Sequence, residues 1–279
     1  MYSKIKISKV SDVHKISELL VSPIEKHQWI FRGHRRSNCD IVPSLERIAE
    51  IYLDFQGRKE RENRIITHFQ RRAHLYISNL PHEEDIIEWL AIIQHYGGPT
   101  RLVDFTYSFY IATFFAVEEA DDETAIWALR KDCIPQSAFD ANLDKSITIN
   151  DLLDPQKTTT PKKGIIFAEP KRLNERMSIQ KGTFICQTDI SSTFKENICQ
   201  TLNYNPIEFD DKNAVNLTVP DLEAFKSIEE FPSLIKFTIP YDIILPEIIR
   251  DLDKMNINSN TLFPGLEGFA RSLRIYLHY

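Results

Sequence analysis

The stretch "PTRLVDFTYSFYIATFFAVEEADDETAIWALR", residues 99–130, contains the clearest change of local structure in the chain. Its opening, Pro99 to Thr106, is rich in β-branched and aromatic residues and reads as extended. The next segment, Ser108 to Ala120, is almost wholly apolar until its final acids, so it predicts a helix with no solvent face, one that must be buried. "TAIWALR", residues 124–130, returns to strand character.

Upstream of this stretch the signals are mainly helical. "VSDVHKISELLV" (10–21) has amphipathic spacing behind a Ser/Asp start. "HQWIFRGH" carries a strand from Gln28 to Arg32, closed by Gly33. "VPSLERIAEIYLDF" (42–55) and "RKERENRIITHFQRRAHLYISNL" (58–80) are helical in period, with Ser44 as the expected N-cap and Pro81 as the stop. "EEDIIEWLAIIQHYG" (83–97) carries acids in its first turn and ends at Gly97 and Gly98.

Downstream, strands are expected at "GIIFAEP" (164–170), "GTFICQT" (182–188) and "SLIKFTIP" (233–240). Residues 132–163 read as polar, with a short helix near 147–153 and a Thr-Pro-Lys loop. Residues 189–230 read as an acidic, Asn-rich loop. "YDIILPEIIRDLDKMNI" (241–257) is expected as a helix interrupted at Pro246, and "LFPGLEGFARSLRIYL" (262–277) as a Pro-Gly turn into a helix. Helices early and strands late predict an α+β fold: one domain over residues 1–279, with a helix-rich N-terminal half and a mixed or antiparallel sheet.

Composition narrows the functional classes. With 42% hydrophobic and 27% charged residues, the chain has the profile of a soluble globular protein. Its net charge of −6 provides no global attraction to nucleic acid or anionic membrane. No apolar run approaches a spanning length, and no apolar signal region opens the chain, so the expected compartment is the cytoplasm and no membrane partner is expected. Cys39, Cys133, Cys186 and Cys199 show no metal spacing, so reduced thiols and no metal site are expected.

Four segments carry polar groups suited to chemistry. Arg32 ends a strand and Gly33 follows it, which puts a bidentate donor where backbone can approach a phosphate or carboxylate; the structural alternative is a buried ion pair. His95, Tyr96, Thr100, Arg101, Asp104 and Thr106 crowd into a dozen residues. Such a crowd either satisfies its own hydrogen bonds or awaits a ligand, and Arg101 with Asp104 could brace the turn. Around "NERMSIQKGTFICQT" stand Arg176, Gln180, Thr183 and Gln187, where Gln180 either positions a ligand amide or lies on the surface. Glu267 sits in a first helical turn, as compensation for the helix dipole or as a working carboxylate. The basic helical face of Arg58, Lys59, Arg61, Arg64, Arg71 and Arg72 is either solvated or a nucleic-acid contact.

In this order, "FRGH", "HYGGPTRLVDFTYSFYIATFFA", "ERMSIQKGTF" and "LFPGLEGFARSL" resemble the FRG domain family of bacterial and phage-encoded proteins, over about residues 10–278 with a motif core near 28–278. The chain departs from the family pattern at Val103 and Phe105, where leucine and tryptophan are more frequent, and at Lys181, where glutamine is. An Arg-Gly strand end with a late carboxylate is in turn similar to ADP-ribosyltransferases. That similarity implies a central cleft that uses NAD as substrate. In it, Arg32 and Gly33 would meet the pyrophosphate, and Glu267 would be catalytic, aligning the ribose. His95, Tyr96, Thr100, Arg101, Asp104, Thr106 and Gln180 would line the cofactor pocket. The resemblance also implies a toxin or anti-phage effector, with a nucleic acid or protein as the modified target and a neighbouring antitoxin or defence protein as partner. A non-catalytic nucleotide- or nucleic-acid-binding module, and a metal-dependent nuclease using Asp104, are the other readings.

Overall fold

The computed structural model describes residues 1–21, 28–52, 57–135, 162–172, 174–225, 231–242 and 244–277. Among these, eight strands form one sheet, and eleven α-helices pack against it, an α+β architecture. The strands are β1 (Ser3–Lys6), β2 (Trp29–His34), β3 (Leu102–Thr106), β4 (Thr124–Arg130), β5 (Ile165–Phe167), β6 (Gly182–Gln187), β7 (Val215–Leu217) and β8 (Leu234–Ile239). Their spatial order is β5-β6-β3-β2-β4-β8-β1-β7. Pairings from β5 to β8 are antiparallel, while β8-β1 and β1-β7 are parallel, so the sheet is mixed.

The helices are α1 (Val10–Val21), α2 (Ser44–Tyr52), α3 (Arg58–Ala73), α4 (Ile86–His95), α5 (Phe109–Val117) and α6 (Glu175–Ile179), followed by α7 (Phe194–Leu202), α8 (Val219–Phe225), α9 (Ile244–Lys254), α10 (Ser259–Leu262) and α11 (Leu266–Ser272). The apolar helix of the opening stretch is α5, capped by Ser108, whose side chain accepts from Ile111 N. It lies directly on β2 because Gly33 has no side chain. A Cβ there would stand 2.1 Å from the carbonyl oxygen of Ala112. Phe109 fixes the contact edge-on, with ring centroids 5.4 Å from both Phe31 and Phe237.

Alternating side chains divide the core between the two faces of the sheet. Ile30, Val103, Trp127 and Ile185 join α7 on one face. On the other, Phe31, Ile126 and Phe237 lie under α1, α5 and α9, whereas Leu102, Phe184 and Cys186 lie under α3, α4 and α6. The paired residues Phe31 and Thr106 show that these last two clusters share one face. They meet where β2 and β3 are joined by that single residue pair, against six pairs between β2 and β4.

Several elements differ from the sequence reading, each for a local reason. β2 continues through Gly33 to His34, because β4 pairs with it along its whole length. Ser44 opens α2, but its hydroxyl accepts from Thr100 N at 3.0 Å and so joins two segments rather than serving its own helix. Pro246 does not interrupt α9: it falls in the first turn, where no helical N–H bond is lost. Residues 189–230, expected as loop, contain α7, β7 and α8, with α7 started by a Thr193–Glu196 capping box. β1 was not read from the sequence. The helix expected near 147–153 and most of the Thr-Pro-Lys loop lie outside the described residues.

A candidate anion-binding cleft at the split in the sheet

On the face where the sheet divides, a cleft of about 330 Å³ opens between β2 and β3. β2 contributes Phe31, Arg32 and Gly33; β3 contributes Asp104, Phe105 and Thr106. α4 adds Gln94 and His95 from one side, and the α6–β6 corner adds Arg176, Gln180 and Thr183 from the other. Phe115 of α5 lines it as well.

Arg32 stands at the point of separation. Its Nη1 donates to the backbone oxygen of Asp104 at 2.7 Å, which replaces a strand-to-strand bond with a side-chain one. The nearest carboxylate, that of Asp104, is 3.8 Å away and 64% exposed, a weak counter-ion. Burial lowers the Arg32 pKa, which marks an under-compensated cation. Its Nε donates to His34 Nε2 at 2.9 Å, and His34 Nδ1 lies 3.1 Å from the carbonyl oxygen of Cys39. Those contacts assign a neutral imidazole carrying its proton on Nδ1. Burial, and then the Arg32 charge, push the His34 pKa down to about 3.

Arg176 is a second cation in the cleft. Its guanidinium lies 4.5 Å from the centre of the Phe263 ring, and that of Arg271 lies 3.8 Å from the same ring. Arg271 is engaged by Glu118 at 2.8 Å, whereas Arg176 makes no ion pair among the described residues. Gln180 donates to the carbonyl of Leu262 at 2.9 Å, so the segment carrying Phe263 is fastened to the corner of α6. The Thr106 hydroxyl donates to the Gln180 carbonyl at 2.7 Å and thereby closes the floor of the cleft.

Of the ten residues that the ADP-ribosyltransferase similarity implies for the site, Arg32, Gly33, His95, Asp104, Thr106 and Gln180 line this one cleft. The other four stand elsewhere. Arg101 is buried in an ion pair with Glu62 of α3, its Nε 2.8 and 2.9 Å from the two carboxylate oxygens; despite burial, that partner raises the Arg101 pKa. Thr100 is buried and hydrogen-bonded to Gln94 and Ser44. Tyr96 is exposed and lines a separate groove. Glu267 is outside the cleft lining, 61% exposed and 3.5 Å from Arg271. It is nonetheless near enough to His95 to act on it: burial and Arg176 lower the His95 pKa, and Glu267 opposes them.

Arg176, named in the sequence beside Gln180, was like Thr183 given no place in the expected pocket, yet it lines the cleft. The signal was available, since it precedes Gln180 by four positions and shares its helix face. Among the described residues no group of three or more His, Cys, Asp or Glu is arranged to hold a metal ion.

No curated protein and no solved structure matches the chain significantly. A family model does match: it takes in β2, α2, α3, α4, β3 and α5, and so the Arg32, His95 and Asp104 walls of the cleft, while Arg176, Gln180 and Glu267 lie beyond it. Over residues 27–125, therefore, the chain carries an FRG domain.

Proposed function

We propose that the cleft binds NAD and that the protein is an ADP-ribosyltransferase-like or NAD-cleaving enzyme. One observation carries this reading: two guanidiniums, Arg32 and Arg176, face one cleft without a strong carboxylate partner. Planar bidentate donors of this kind suit a pyrophosphate. Arg32 is held rigidly by Asp104 and His34, and Arg176 rests on Phe263, so both are preorganised for an anion.

In the reaction, the bond between the ribose anomeric carbon and the nicotinamide nitrogen breaks, and its electron pair leaves with nicotinamide. Water or an acceptor nucleophile forms the new bond to that carbon and gives up a proton. A carboxylate stabilises the positive charge that develops on the sugar. In this reading Glu267 takes that role from outside the cleft lining, where its charge already acts on His95, and Asp104 contributes from within. An enzyme that depletes NAD is toxic to its own cell, and that consequence supports the reading of a bacterial toxin or anti-phage effector.

The test measures NAD binding by calorimetry and nicotinamide release by chromatography. Arg32→Ala and Arg176→Ala should each weaken NAD binding roughly tenfold or more. Glu267→Gln should retain binding and lose most turnover. NAD binding that is absent in the parent protein, or unchanged by both arginine substitutions, would overturn the reading.

A further inference from the structure

A second concavity lies on the far side of α4 from the cleft, in the groove between α3 and α4. Its floor is apolar, formed by Ile65, Phe69, Ala73 and Ile93. Tyr76 and Tyr96 stand along it, 84% and 70% exposed. Large exposed aromatics over an apolar groove imply a ligand with flat faces.

The charge of this region runs against that of the chain. Residues 64–82, "RIITHFQRRAHLYISNLPH", contain three arginines, three histidines and no acid, in a protein of net charge −6. Arg72 lines the groove, its Nη1 3.0 Å from His68 Nδ1, and makes no ion pair among the described residues. Arg71 is exposed and makes no ion pair among the described residues. The α4 face opposite the groove carries Gln94 and His95 in the cleft, and the His95 and Tyr96 rings touch edge-on at 4.9 Å.

We propose that this groove binds single-stranded nucleic acid, with bases stacked on Tyr76 and Tyr96 and phosphates met by Arg71 and Arg72. Stacking platforms flanked by cations are how proteins hold unpaired strands without reading their sequence. A duplex hides its base faces and could use only the arginines. A peptide would use the apolar floor but has no need of an acid-free rim. The proposal does not depend on NAD chemistry in the cleft.

The experiment is fluorescence anisotropy of a labelled twelve-residue oligothymidylate with the full chain, from low to moderate salt. Tyr76→Ala and Tyr96→Ala should each reduce affinity by roughly 5- to 150-fold, and Tyr→Phe at either position should restore it. Replacing Arg71 and Arg72 together by alanine should lower the slope of log K against log salt by about 1.4. Both tyrosines are exposed, so these variants keep their fold, which circular dichroism verifies, and NAD binding by calorimetry stays at the parent value. Failure of the oligonucleotide to bind at low salt, binding insensitive to both tyrosines, or equal affinity for the corresponding duplex would each overturn the proposal and leave the groove to a protein partner.

Discussion

His34 governs how Arg32 is presented to the cleft. Its Nε2 lone pair accepts from the guanidinium, so protonation would turn that acceptor into a donor and set two cations against each other. Folding therefore requires the neutral ring, with a pKa near 3 against an ordinary value of 6.5. Above pH 6.5 both folded and unfolded chains hold this ring neutral, and its contribution does not vary with pH. Below 6.5 the unfolded chain takes up the proton first, so stability falls with pH down to about 3. Between pH 7 and pH 5 the loss from this residue should be roughly 2 kcal/mol. Denaturant unfolding at the two pH values measures it. His34→Gln keeps an acceptor for Arg32 and should remove most of the difference; an undiminished difference would show that other groups carry the acid sensitivity.

At the scale of elements, the closest approach is that of α5 to β2, and it depends on one missing side chain. Gly33→Ala would place a methyl 2.1 Å from the oxygen of Ala112 and 2.5 Å from the nitrogen of Ala116, both backbone atoms that cannot rotate away. The helix would have to lift from the sheet, at a cost of about 3 kcal/mol or more, which thermal melting should register as a large fall in Tm or a failure to fold. The apolar run of α5 announced its burial in the sequence, and the Gly after Arg32 announced a close approach, but not that the neighbour would be a helix rather than a ligand. Arg101 was ambiguous for the opposite reason: its partner, Glu62, lies 39 residues away on a helix that reads as basic and solvated. β1 and β7 were missed because strands of four and three residues at the parallel edge of the sheet carry too short a pattern to separate from loop. Polar crowding in the sequence thus located the cleft region, while long-range pairing decided which of its members face inward.

Across the whole molecule the sheet is two blocks with a thin seam. β2, β4, β8, β1 and β7 form one, β3, β6 and β5 the other; one residue pair and the Arg32 contact to the Asp104 backbone join the strands, whereas Ile30, Val103, Phe105 and Trp127 belong to one buried cluster that spans both blocks. Such a junction can open locally without global unfolding, because few backbone bonds have to break. Amide exchange should therefore be slowest in β4 and β8, which are paired on both sides, and faster in residues 104–106 of β3. An anion clamped by Arg32 and Arg176 would bridge the blocks and oppose that opening. At saturating NAD, exchange should slow in peptides covering 31–34, 104–106 and 176–184 and stay unchanged in β1 and β7, which are remote from the seam. Protection confined to the cleft peptides in the parent, and absent in Arg32→Ala, would show the ligand acting across the seam. Uniform protection over the whole sheet would mean instead that the two blocks open only together, and the idea of a weak junction would fail.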